Sequence, residues 1–217
     1  MKLATILQAG VAAIAISFSA AAASAATIAN GDFELGQNNP GPGGFSTLYN
    51  GATDIAGWTV TGHSVDWING YWQAASGTHS VDLNGLGLGG ISQTISTTPG
   101  QTYKLTFSMS GNPDVGPDTR TMQVSAGNAS APFSYTFTSN DHSNMNWVTD
   151  SLLFTATGQT TTINFASTSQ QNCCWGPALD NVSISAVPEP ATWSMAIMGF
   201  GLIGLALRRR LAYAPVA

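Results

Sequence analysis

Between Ala26 and Val187 the apolar side chains recur at every second position, and this alternation constrains the fold more than any other feature of the chain. Tyr103, Leu105, Phe107 and Met109 alternate with Thr102, Lys104, Thr106 and Ser108. In an extended chain that pattern sends one set to a core and the other to solvent. Similar short runs occupy Trp58 to Thr61, Ser80 to Leu83, Gly90 to Ser96, Thr121 to Ser125, Phe133 to Thr138, Trp147 to Thr155, Thr161 to Ala166 and Asn181 to Ser185. Turn chemistry separates them, as at Thr98-Pro99-Gly100, Thr157-Gly158-Gln159, and Gly111-Asn112-Pro113-Asp114 followed by Gly116-Pro117-Asp118. Helix signals are nearly absent from this interval, and no repeat of about 20 to 50 residues points to a solenoid or propeller. The expected class is all-β, an antiparallel β-sandwich. From Asn38 to Gly44 there is no large apolar side chain to bury, which predicts a mobile surface loop.

Both ends read as processing segments. Lys2, the mostly apolar run from Leu3 to Phe18, and the small-residue site Ala23-Ser24-Ala25 predict a signal peptide over residues 1–25, cleaved after Ala25. The exported domain is then 26–187, about 160 residues, enough for one proper core. Residues 188–217 follow another logic. In Pro188-Glu189-Pro190 the two prolines disfavour helix, Trp193 suits a membrane interface, Ser194 to Leu207 is uncharged, and Arg208-Arg209-Arg210 forms a basic stop. This tail resembles the PEP-CTERM sorting signal of Gram-negative bacteria. The resemblance implies transient anchoring in the inner membrane, handling by an exosortase, and release or attachment at the cell surface. It says where the protein goes, not what it does there.

Without its ends the chain is acidic. Between Ala26 and Val187 the only bases are Lys104 and Arg120, against Asp32, Glu34, Asp54, Asp66, Asp82, Asp114, Asp118, Asp141, Asp150 and Asp180. Such a domain repels nucleic acid and anionic lipid. Its carboxylates suit either a divalent cation or simple solubility. The two cysteines, Cys173 and Cys174, are adjacent, so they cannot staple distant segments to each other. They form a strained vicinal ring, stay free, or pair with another chain.

Seven motifs carry a second resemblance: Asn30-Gly31-Asp32-Phe33-Glu34, Gly57-Trp58, Ser64-Val65-Asp66-Trp67-Ile68, Trp72-Gln73-Ala74-Ala75, Ser80-Val81-Asp82-Leu83-Asn84-Gly85, Gly111-Asn112-Pro113, and Gly176-Pro177-Ala178-Leu179-Asp180-Asn181-Val182. In this order they resemble the bacterial choice-of-anchor C domain, related to the plant cell-wall domain of unknown function 642. The resemblance implies a galactose-binding-like jelly roll with no established catalytic activity, in a family associated with wall polysaccharide. The first and last motifs also look like those of jelly-roll carbohydrate-binding modules, where they meet at a structural calcium. By that resemblance Glu34 and Asp180 are the expected ligands; the alternative is that Asp180 bonds backbone and Glu34 is solvated.

A sugar site needs aromatic faces and fixed polar groups. Tyr71 and Trp72 lie in a polar, glycine-containing turn with Gln73 beside them, and the family motifs place Asp66 and Asp82 nearby. These five residues form the expected ligand site, with Tyr71 and Trp72 as an exposed platform. Trp58 and Trp67 read as core, and Trp147 and Trp175 stay undecided. Catalytic patterns are weak: His63, His79 and His142 lack metal-ligand spacing, and no Gly-x-Ser-x-Gly elbow occurs. The sequence therefore predicts an exported, non-catalytic protein that binds extracellular polysaccharide at the surface or in a biofilm matrix. The alternatives are a matrix protein engaging other proteins, and a carbohydrate-active enzyme drawing paired carboxylates from Asp66, Asp82 and Asp150.

Overall fold

In the computed structural model, residues 25–115, 118–169, 173–188, 197–204 and 208 are described. Apart from Ala25, the expected signal peptide lies outside them, as do Glu189 and Pro190 of the sorting motif and much of the expected membrane segment. Ala25 and Pro188 are both exposed, at the two ends of the folded domain. A helical stretch at 197–204 exposes Ile197, Met198, Phe200, Leu202 and Ile203. Among the described residues no helix is long and apolar enough to cross a membrane.

Among the described residues eleven strands make two antiparallel sheets. The strands are β1 (Gly44–Tyr49), β2 (Thr59–Gly62), β3 (Ser64–Asn69), β4 (His79–Asp82), β5 (Gly89–Ser96), β6 (Thr102–Gly111), β7 (Thr119–Ala126), β8 (Ala129–Thr136), β9 (Val148–Thr155), β10 (Thr160–Ser167) and β11 (Pro177–Ala186). One sheet runs β1-β3-β4-β11-β6-β9 and the other β2-β5-β10-β7-β8. The all-β sandwich expected from the alternation is the fold found.

Packing follows the period of two. Tyr103, Leu105, Phe107 and Met109 of β6 are all buried, and they meet the inward residues of the other sheet, Met122, Val124, Ile163 and Phe165 among them. Phe107 bridges the layers, with its ring centroid 5.2 Å from Phe165 and 5.0 Å from Phe133. Trp58 and Trp67 are core, as expected. Trp58 Nε1–H donates to Asn30 O at 2.9 Å, and Trp67 Nε1–H to Phe33 O at 3.0 Å. Each indole thus satisfies its one polar atom while fixing the entry segment, which a buried tryptophan requires.

Two features depart from expectation. Strand β1 was not foreshadowed by alternation, because only Leu48 points inward with a large apolar side chain while Phe45 and Tyr49 face outward. The segment Asn38 to Gly44 is pinned rather than mobile. Asn39 Oδ1 lies 2.8 Å from His79 Nε2, Pro40 O accepts from Asn69 Nδ2 at 2.7 Å, and Asn38 Nδ2 donates to Asp54 Oδ1 at 2.7 Å. Its polar side chains supply the anchoring that apolar burial would otherwise provide.

Candidate functional site

On the outer face of the six-stranded sheet, the residues that alternate with the core form one row. Thr47, Asp66 and Asp82 are direct cross-strand neighbours on β1, β3 and β4. Their partners along the strands, Val65, Trp67 and Val81, point into the sandwich. Period-two geometry therefore places two carboxylates side by side on the outer face. The row floors a cavity of about 190 Å³, walled by the aromatic and apolar side chains of Phe45, Tyr71, Trp72, Leu86 and Trp175.

The two carboxylates have different tasks. Asp82 is fully buried: its Oδ1 accepts from Asn84 N (2.8 Å) and Gly176 N (3.0 Å), and its Oδ2 from Asn112 Nδ2 (2.7 Å). It ties three loops together below the cavity. Burial pushes its pKa up to about 8 despite those donors, and the charge of Asp66 pushes the same way. Asp66 is half-buried. Its Oδ1 accepts from Thr47 Oγ1 at 2.6 Å, while its Oδ2 has no partner among the described residues. Burial raises its pKa too, against the Thr47 bond. Asp66 thus offers the cavity a fixed carboxylate with one oxygen to spare.

The expected platform is corrected. Trp72 is only 2% exposed, packed in a second apolar cluster with Ile68, Met145 and Ala178, and its Nε1–H donates to Ser80 Oγ at 2.9 Å. The segment around Met145 folds over it: Ser110 Oγ and Tyr135 Oη both donate to Met145 O. Trp72 therefore shows the cavity a wall rather than an exposed face. Gln73 is exposed and outside the cavity. Its backbone N donates to His142 O at 2.8 Å, its carbonyl accepts from Trp147 Nε1, and its Oε1 accepts from Met145 N, so it holds that cover in place.

Tyr71 is the better-presented aromatic, half-buried with its ring 5.4 Å from the 49%-exposed Phe45. Its hydroxyl donates to Asp114 Oδ2 at 3.1 Å, and Asp114 Oδ1 lies 2.6 Å from His142 Nε2. His142 also places its Nδ1 2.8 Å from Tyr71 O; that bond and the neighbouring Asp114 raise its pKa, outweighing burial. Trp175, undecided in the sequence, lines the cavity, whereas Phe45, Leu86 and Asp114 were missed there. Only the Gly111-Asn112-Pro113-Asp114 turn signal marked any of their positions.

Glu34 and Asp180 do come together, around the loop between Trp72 and β4. Asp180 Oδ2 accepts from Ala75 N (2.7 Å) and Ser76 N (2.9 Å), and its Oδ1 from Asn181 N. Glu34 Oε1 accepts from Thr78 N (2.6 Å) and His79 N (2.7 Å), while its Oε2 meets Thr78 Oγ1 and His79 Nδ1 at 3.0 and 2.8 Å. Calcium needs six to eight oxygens with free lone pairs. In this arrangement the lone pairs are directed at N–H and O–H donors, and no group of three or more His, Cys, Asp or Glu among the described residues could hold a metal ion. The donor set as arranged does not fit the cation, and the pair holds a loop instead. Burial raises Asp180 to about 7, with Glu34 adding to the effect. Glu34 itself is lowered, because the bonds from His79 and Thr78 outweigh its burial. Cys173 and Cys174 are free thiols.

Comparison with known proteins identifies the domain. The family described as protein of unknown function DUF642 matches residues 26–185, and the PEP-CTERM protein-sorting motif matches 186–210. The chain belongs to the DUF642 family. A segment of halomucin from Haloquadratum walsbyi is 30% identical over 165 residues, 75% of this chain, which spans only 2% of that protein's length. Among solved structures, CBM35 from Paenibacillus barcinonensis is 16% identical with a TM-score of 0.42, covering 65% of this chain and 99% of its own. TmCBM61, solved with β-1,4-galactotriose, is 14% identical with a TM-score of 0.45, covering 73% of this chain and 96% of its own.

Proposed function

We propose that this DUF642 domain is an exported, non-catalytic module that binds extracellular polysaccharide in the cavity on the outer face of its six-stranded sheet. One observation carries the reading: Asp66, whose Oδ2 has no partner among the described residues, lines a cavity whose walls are aromatic and apolar. Sugars present C–H faces to aromatic rings and hydroxyls to fixed polar groups, and this cavity supplies both. Asp66 accepts a hydrogen bond from a sugar hydroxyl, Tyr71 and Phe45 flank the ring, and Asp82 positions the floor without touching ligand.

The acid pair favours binding over hydrolysis. A glycosidase needs two carboxyl groups flanking the scissile bond, one of them free to take or give a proton. Asp66 and Asp82 are neighbours on one sheet face, and Asp82 is held beneath it by backbone and Asn112 donors. The PEP-CTERM match supports delivery by an exosortase-type enzyme acting near Pro188-Glu189-Pro190. An array of extracellular polysaccharides and their oligosaccharides, probed with the purified full chain, tests the reading. Phe45→Ala is expected to weaken the best-bound glycan by about 1 to 2 kcal/mol with little change in melting temperature, because Phe45 is already half exposed. Failure to bind any glycan would favour a matrix protein that engages other proteins.

A further inference from the structure

His142, on the segment between β8 and β9, closes a ring of contacts around Tyr71, an aromatic wall of the cavity. Its Nδ1 lies 2.8 Å from Tyr71 O and its Nε2 2.6 Å from Asp114 Oδ1, while Asp114 Oδ2 accepts from the Tyr71 hydroxyl at 3.1 Å. The imidazole also meets the Tyr71 ring edge to face, with centroids 4.7 Å apart. Tyr71 is thus held at its backbone carbonyl, at its ring and at its hydroxyl, and one side chain stands behind all three holds. The main chain of His142 is anchored separately, because its carbonyl accepts from Gln73 N at 2.8 Å. A change of charge on the imidazole therefore acts on Tyr71 without freeing the segment that carries it.

The partners decide which charge fits. A carbonyl and a carboxylate only accept, so both ring nitrogens have to donate for both bonds to form. Neutral imidazole has one N–H and would turn a lone pair on one of the two oxygens, whereas the imidazolium satisfies both. The titratable groups facing it are Asp114 from the turn after β6, Tyr71 from the loop between β3 and β4, and Asp141 from its own segment. Both carboxylates favour the cation, and the Tyr71 phenol is pushed up by burial and by Asp114, away from the neutral range. We infer that His142 is a positioning residue of the glycan site: the imidazolium locks Tyr71 against the cavity, and loss of its proton slackens that wall and weakens binding. This rests on the glycan-binding reading and adds to it a response to pH in the neutral range. His142 is raised above its ordinary 6.5 by the Tyr71 O bond and by Asp114, so affinity is full below about 6.5 and falls as pH rises through the folded value.

Asp66 and Asp82 respond to pH as well, so the share of His142 is read from the ratio of wild-type to His142→Gln affinity for the best-bound glycan. Glutamine keeps an amide N–H for one of the two oxygens and carries no charge. Calorimetric titrations of both full chains from about pH 5.5 to about pH 9 are paired with nitrogen chemical shifts of the wild-type imidazole. The expected ratio is about three- to fivefold at the acid end, the size of an exposed charge-assisted contact, falling towards one as the imidazole titrates. The shifts should show both ring nitrogens protonated at the acid end. A ratio that stays constant across the imidazole titration overturns the inference while leaving glycan binding intact, and so does an imidazole already neutral at about pH 6. The Tyr71 ring signals of the wild type give a second reading that does not depend on the variant: they should move with the imidazole, and signals indifferent to it overturn the clamp. No glycan bound at any pH overturns the binding reading itself.

Discussion

At the scale of single residues, position in the turn misleads where burial decides. Trp72 follows Tyr71 in a polar stretch, yet the segment around Met145 seals it into a cluster of its own. Trp72→Ala is therefore expected to destabilise the domain by about 3 to 5 kcal/mol, the cost of a large cavity with Ser80 left unpaired. A denaturant melt checks this; a loss below about 1 kcal/mol would restore the exposed platform. For Glu34 and Asp180 the expected result is that millimolar calcium leaves the melting temperature unchanged, because both carboxylates already hold the loop from Ala75 to His79. A calcium-dependent rise that disappears in Asp180→Asn would reinstate the metal. The sequence brought these two acids to one place through a family resemblance. It did not show which donors they face, because those belong to a backbone loop whose path depends on the whole fold.

At the scale of elements, strands with an unbroken apolar row were legible and those without one were not. β6 and β10 announce themselves through Tyr103 to Met109 and Thr161 to Ala166. β1 does not, since its conspicuous residues, Phe45 and Tyr49, face outward rather than into the core, and Phe45 lines the cavity. The last strand hides a bulge. Its register with β6 shifts between Asp180 and Ser183, where Asn181 adopts a left-handed φ of 51° and Val182 N–H donates to Gly31 O at 2.8 Å. Asparagine tolerates that backbone better than most residues, which gives Asp180-Asn181 a conformational reason beyond charge. Gly31 fits because a Cβ there would lie 1.9 Å from Val182 O. Asn181→Val is expected to cost about 1 to 3 kcal/mol and Asn181→Gly far less, read from paired thermal melts. Equal costs would mean that the left-handed backbone is not what selects asparagine.

At the scale of the whole molecule, the buried acids set how stability responds to pH. Asp82 and Asp180 titrate near 8 and 7 when folded, against an ordinary aspartate value of 3.8. Between about pH 4 and 8 the folded chain therefore holds protons that the unfolded chain releases, so stability falls as pH rises. His142, also raised, adds to the same fall; Glu34 opposes it only below its ordinary value of 4.5. The melting temperature should be higher at pH 5 than at pH 8, with a smaller difference in Asp82→Asn. A flat or rising profile would show that Asp82 is ionised throughout. The cavity draws residues from β1, β3 and the loops near Leu86, Asp114 and Trp175, and topology alone joins them. Composition and alternation revealed the sandwich, while the site emerged only once the sheets were assembled. Isothermal titration of the best-bound glycan into the wild type and Asp66→Asn tests the central claim most directly. Loss of about 1.5 to 3 kcal/mol of binding at an unchanged fold is the expected result, because in the proposed mode the Asp66 carboxylate receives the sugar hydroxyl. Equal affinities in the two proteins would contradict it.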